Sequence, residues 1–356
     1  MSLSLFFQVL KGGKGSGNFG HSGRPGKVGG SGGGGGLSGT YNPNVEADHD
    51  KDGVTDFARV GVGAHEIPPP PPVGRLPNLT DQERQVEQDF IKAYESDPDG
   101  VANNFLNVLK ETTKPGEPLT FGTDDAKVLA DKWSEPPPEQ RAINRATLNT
   151  SLHQTANAIA KRAFVNHLDT LKPGDEILVT VGGCGAGKGY ALKNVPEALA
   201  MKQGAKVVWD SAGDQNATEN PWILKEAEKR GLKVNYVYVH ADPKTQWADP
   251  NRGVVKRAQD PRDGRMVDAH VFADSYALGA KNHQAFYEKN KSNPNANFVF
   301  LDNTGTPKKL PGIPKNALNI NRKELTDFAL NTVNQEGIPD HVKQGASAGK
   351  RIWGNG

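Results

Sequence analysis

The sequence predicts an α/β fold, a parallel sheet flanked by helices, preceded by a helical segment and a disordered, glycine- and proline-rich N-terminal region. Three observations carry this expectation. Short apolar runs at Ile177 to Val181, Val207 to Trp209, Val234 to Val239 and Phe298 to Leu301 alternate with helical patterns, the grammar of a buried parallel sheet. Ahead of them, apolar residues recur at helical spacing. Ahead of those, glycine and proline dominate.

Residues 1–77 form the arm. The first 40 hold 15 of the 41 glycines and four basic residues without one acid, too little apolar surface to repay the entropy of ordering. The opening MSLSLFFQVL is short and lacks a basic stretch, so it does not read as a signal peptide. Within the arm, DHDKDGVTD matches the start of a calcium loop, with Asp48, Asp50, Asp52 and Asp56 at alternating positions around Gly53. Arg59 stands where an EF-hand requires its bidentate Glu, and the stretch resembles the shorter acidic loops of dockerin-like and thrombospondin-like repeats. It is either a Ca²⁺ site or an acidic turn in a linker; His49 and His65 read as linker residues. Pro68 to Pro72 then impose a stiff extended spacer, and a boundary is expected there.

A helical segment spans 78–171. Thr80 and Glu83 form a capping-box pattern before Val86, Phe90 and Tyr94, which lie on one helical face until DPDG at 97–100 breaks it. Val101, Phe105 and Leu109 mark a second helix; Leu148, Leu152, Ile159 and Leu168, after EPPPEQ, mark a third. The sheet domain covers 172–330. Residues 331–356 read as a flexible basic tail, because the last sixteen carry Lys343, Lys350 and Arg351 and no acid.

Composition narrows the function. The net charge of +2 rests on basic ends, so the core is mildly acidic, which gives no case for broad binding to nucleic acid. Cys184 is the single cysteine, which excludes an intramolecular disulfide and a multi-cysteine metal site and suits a reducing compartment, the cytoplasm. No apolar run reaches membrane-spanning length.

The chemistry concentrates after the first strand. Gly182, Gly183, Cys184, Gly185, Ala186, Gly187 and Lys188 satisfy G-x-x-x-x-G-K between a strand and a helical pattern. Small residues let backbone N–H groups turn onto phosphate oxygens, and Lys188 neutralises their charge, so a nucleotide is the expected ligand. Gly189 stands where such loops carry the Ser or Thr hydroxyl that helps to hold Mg²⁺, which moves metal handling to phosphate oxygens, water and a carboxylate. Asp210 ends the next strand and is expected at the ligand crevice, as a base, as a support for the metal, or only as a helix cap. Asp214, Asn216 and Thr218 fit capping. Arginines at 252, 257, 262 and 265 either clamp a transferred phosphoryl group or form a solvated face; Arg257 and Arg265 are the favoured clamps.

The order of this loop, a strand ending in Asp, ILKEAEKRGLKVNYVYVHADP, an arginine-bearing stretch with GRMV, and FVFLDNTG resembles the zeta-toxin family of P-loop kinases over about 173–322. The resemblance implies a nucleotide-kinase-like sandwich and phosphorylation of UDP-N-acetylglucosamine from ATP or GTP with Mg²⁺. It further implies that Lys188 holds phosphates, Asp210 is the base, and Arg257 and Arg265 clamp the phosphate in flight. Family loops end in GK followed by Ser or Thr, and the span from loop to arginines is short here, which departs from the sugar-nucleotide pattern. The stretch GSGNFGHSGRPGKVGGSGG resembles glycine-rich segments of phage head-associated proteins, implying a phage setting, with an antitoxin or a head component as possible partner classes. The rival expectations are a nucleotide-binding structural protein with a degenerate loop, or an NTPase using water as acceptor.

Overall fold

The computed structural model describes residues 76–135, 137–211, 213, 216–260 and 264–353. Helix α1 (Asp81–Ser96) starts at the capping box: the Thr80 hydroxyl accepts from the Glu83 amide at 3.2 Å, and the Glu83 carboxylate accepts from the Thr80 amide at 2.8 Å. Val86, Phe90 and Tyr94 are its buried face. Asp97 ends α1 and at once caps α2 (Pro98–Thr112), accepting from the Gly100 amide at 2.8 Å, so DPDG joins two helices rather than opening a loop. Strand β1 (Leu119–Phe121), the short α3 (Thr123–Ala126) and the 31-residue α4 (Pro138–Leu168) follow. Proline at the first turn of α4 lacks only an amide that would have had no helical partner.

The sheet region then runs β2 (Glu176–Gly182), α5 (Lys188–Asn194), α6 (Pro196–Gly204), β3 (Val207–Asp210), α7 (Asn216–Glu228) and β4 (Lys233–His240). It continues through α8 (Pro243–Ala248), α9 (Val254–Ala258), α10 (Ala269–Ala277), α11 (Gly279–Asn290), β5 (Ala296–Asp302) and β6 (Lys308–Leu310). Helices α12 (Lys315–Leu318), α13 (Arg322–Val333), α14 (Asp340–Ala346) and α15 (Ala348–Trp353) close the described chain. No helix among the described residues is long and apolar enough to cross a membrane.

Six strands lie in the order β1-β3-β2-β4-β5-β6, every pair parallel except β5 with β6. All four strands expected from the sequence are present. In β2, Ile177, Val179 and Val181 face one helical layer, with α1, α2, α4, α7 and α11, while Leu178 faces the other, with α5, α6, α8, α9, α10 and α13. A sheet buried on both faces needs no polar alternation, which is why its strands read as continuous apolar runs.

Two features depart from the expected organisation. The segment 78–171 is not merely a helical neighbour of the sheet: it supplies edge strand β1, whose Phe121 pairs in register with Trp209. Fully buried Phe121 packs on Phe164 at a centroid distance of 5.5 Å, Phe164 on Trp209 at 5.0 Å, and Trp209 on Trp222 at 5.8 Å, joining β1, α4, β3 and α7. Residues 331–353 also differ from a flexible tail. Val342, Ala346 and Ile352 are buried, the Gly349 amide donates to Asp268 at 2.7 Å, and the Arg351 guanidinium grips Glu83, with Nη1 at 3.0 Å. Basic composition suggested a solvated end, but Arg351 is paired with Glu83.

A three-residue strand has little backbone pairing of its own, so Phe121 is what holds β1. Phe121→Ala is expected to lower unfolding free energy by about 3–5 kcal/mol, measured by urea denaturation; a loss within about 0.5 kcal/mol, the range of a surface change, would contradict this role.

Candidate functional site

Parallel strands deliver their following loops to one end of the sheet, and β2 lies between β3 on one side and β4 on the other. That is the switch point where open α/β sheets form a crevice. A cleft of about 560 Å³ occurs there, walled by the loop after β2, the loop after β1, the end of β3, and the arginine-bearing stretch beyond β4. Cys184 through Gly189, Lys188 among them, line it, and so do Asp210, Arg252, Arg257 and Arg265. Gly182 and Gly183 lie behind the lining, buried.

The loop is fixed from behind. A Cβ on Gly183 would collide with the Tyr276 ring, and one on Gly187 would collide with the side-chain amide of Asn303. Asn303 Nδ2 donates to the Ala186 carbonyl at 2.8 Å, and Gly187 takes φ +71° to cap α5, a conformation in which L side chains are strained. The Cys184 amide is spent on Ser275 Oγ at 2.9 Å, and the Ala186 amide on the Gly183 carbonyl at 3.0 Å. The amides of Gly185, Gly187, Lys188 and Gly189 donate to no acceptor among the described residues. Four such donors beside an ammonium group form a concavity suited to an oxyanion.

Register sets the next contact. Thr180 of β2 pairs with Asp210 of β3, and its hydroxyl donates to Asp210 Oδ1 at 2.5 Å. Lys188 Nζ stands 3.4 Å from the same oxygen. Arg257 reaches the loop from α9, its Nη2 3.7 Å from where a Cβ on Gly185 would sit. Arg265 crosses to the opposite wall, where its Nη1 lies 3.6 Å from Asp124 Oδ2. The Arg252 guanidinium lies over the exposed Tyr190 ring, 5.9 Å from its centroid. Asp210, Arg257 and Arg265 thus line one cleft. Asp48, Asp50, Asp52, Asp56, Arg262 and Asp214 lie outside the described residues.

That opposite wall was not anticipated. It comes from the turn after β1 and from α4: Asp124, Asp125, Asn149 and His153 line the cleft. Beneath them Lys127 is fully buried, its ammonium donating to Asp124 at 2.7 Å and to Asn149 at 2.5 Å and lying 3.4 Å from His153 Nδ1. Burial alone would raise the Asp124 carboxyl, but Lys127 and Arg265 hold it well below the usual range. Burial and the Lys127 charge push His153 down to about 3, so its ring is neutral. Asp125 goes the other way. Its carboxylate opens onto the cleft, yet the walls desolvate it, and with Asp124 and Asp210 they push it up to about 7 against the pull of Arg265 and Lys127. The only sequence signal for this wall was LTF followed by GTDDA, a strand too short to show a period.

No family model matches the chain, and no curated protein matches it.

Asp125 binds its proton more tightly in the folded protein than in the unfolded chain, whose carboxyl titrates near pH 4. The stability it contributes therefore falls as pH rises from that value to about 7. Asp125→Asn removes this loss: its stability relative to the wild type, by urea unfolding, is expected to rise between about pH 4 and about pH 8. A relative stability that is flat or falls over that interval would overturn the assignment of a raised carboxyl.

Proposed function

We propose that the protein is a phosphotransferase that moves the γ-phosphoryl group of ATP or GTP to a hydroxyl of a small molecule. The zeta-toxin resemblance makes a nucleotide sugar such as UDP-N-acetylglucosamine the first acceptor class to test. The observation that carries the reading is the set of four loop amides with no acceptor among the described residues, closed by Lys188 at the switch point of the sheet.

In this reading the loop amides bind the β- and γ-phosphate oxygens, and Lys188 exchanges its contact with Asp210 for those oxygens. Arg257, already over the loop, neutralises charge that builds on the phosphoryl group in flight, and Arg265 reaches it from the acceptor side. Among the described residues no group of three or more His, Cys, Asp or Glu side chains is arranged to hold a metal ion. The residues therefore fit Mg²⁺ only as a cation held by phosphate oxygens, water and one carboxylate, Asp210, where it would supply charge neutralisation.

One residue favours a second reading, in which nucleotide is bound with water as the acceptor or without turnover. Gly189 carries no hydroxyl for the metal. Packing does not require that: Gly189 is exposed, and a Cβ there would meet nothing within 4 Å.

Incubation with γ-labelled ATP, Mg²⁺ and nucleotide sugars distinguishes the readings, label on a sugar supporting the kinase and free phosphate supporting an NTPase. Lys188→Ala is expected to weaken nucleotide binding roughly 10- to 100-fold, and Gly189→Ser to raise Mg²⁺-dependent turnover several-fold. Absence of nucleotide binding by the wild type at millimolar concentration would overturn the proposal.

A further inference from the structure

Asp210 carries the expectation of being the proton acceptor, yet its Oδ1 already accepts from the Thr180 hydroxyl at 2.5 Å and faces the Lys188 ammonium at 3.4 Å. A carboxylate oxygen already engaged by a donor and a cation at the phosphate end is suited to charge support there. Asp125 is placed differently. It sits in the short helix α3 directly after β1, and Phe121 of β1 pairs with Trp209 just before Asp210, so the two carboxylates share the carboxyl edge of the sheet. The Asp125 side chain makes no hydrogen bond or ion pair among the described residues, and it is exposed to the cleft that Lys188 and the loop line.

We propose that Asp125, contributed by the segment that precedes the phosphate loop, is the general base that takes the proton from the acceptor hydroxyl. This rests on the phosphotransferase reading. The acceptor O–H proton passes to the Asp125 carboxylate as the hydroxyl oxygen forms its bond to the γ-phosphorus. The bond from that phosphorus to the β,γ-bridging oxygen breaks, ADP leaves with the electron pair, and Asp125 later returns the proton to solvent.

The charges around Asp125 agree with that task. Desolvation by the cleft walls raises the carboxyl most, Asp124 and Asp210 add repulsion to its ionised form, and Arg265 and Lys127 favour that form, which leaves it at about 7, where a base both ionises and accepts. Neutral His153 lies against Lys127 and adds no charge.

The test uses the full chain with γ-labelled ATP and Mg²⁺, following transfer to UDP-N-acetylglucosamine and to water across pH, beside binding of a fluorescent ATP analogue. Asp125→Asn is expected to bind the analogue as the wild type does, to lose roughly 10²–10⁴-fold in kcat, and to lose the limb in which the wild-type rate rises through neutral pH. Asp125→Glu is expected to keep that limb at a shifted position, and Asp210→Asn to keep it in place. A wild-type rate and limb in Asp125→Asn, or loss of the limb in Asp210→Asn instead, would overturn the assignment while leaving the phosphotransferase intact. Nucleotide bound but never turned over by the wild type would overturn both, and nucleotide not bound would remove the loop reading itself.

Discussion

Strand β2 has no solvent face: alternate residues enter two separate apolar layers, and each of its edges is paired, with β3 and with β4. The chain leaving it at Gly182 can therefore emerge only at the carboxyl edge of the sheet, where β3 turns one way and β4 the other. Burial on this scale, about 25 cal/mol per Å² of apolar surface, is what fixes the loop's origin. The loop's path follows from contacts that tolerate no side chain, Gly183 against Tyr276 and Gly187 against Asn303. The residues whose amides are left over after these contacts line the cleft.

The cleft has two chemically distinct walls, and they come from different parts of the chain. Lys188, Arg252 and Arg257 bring positive charge around the loop, while Asp124 and Asp125 arrive from the opposite side on the turn after β1. Asp210 meets Lys188 between them. That division matches what transfer of a phosphoryl group requires, cations where charge accumulates and a carboxylate where a proton departs. It also gives the segment 78–171 a role in the site. Phe121, locked to Phe164 and through it to Trp209, positions the turn bearing Asp125 against the end of β3.

Much of this was legible in the sequence. The four inner strands announce themselves as apolar runs, the Thr80 capping box marks the first helix to the residue, and G-x-x-x-x-G-K with Asp210 and Arg257 locates one wall of the cleft. The other wall was not, because β1 has three residues and its membership of the sheet depends on pairing with β3, more than eighty residues away. Lys127 was equally hidden: a lysine reads as surface until Asp124 and Asn149 are brought to its ammonium. The C-terminal stretch misled for the same reason, since composition counts Arg351 as a solvated charge and only the fold supplies Glu83.

The claim on which the rest stands is that the loop amides and Lys188 hold the terminal phosphates of a nucleotide. A crystal structure with Mg²⁺ and a non-hydrolysable ATP analogue tests it most directly. The expected result is β- and γ-phosphate oxygens on the amides of Gly185, Gly187, Lys188 and Gly189, with the γ-phosphate between Lys188 and Arg257 and facing Asp125. An analogue bound elsewhere, or a loop left empty at saturating concentration, would contradict it.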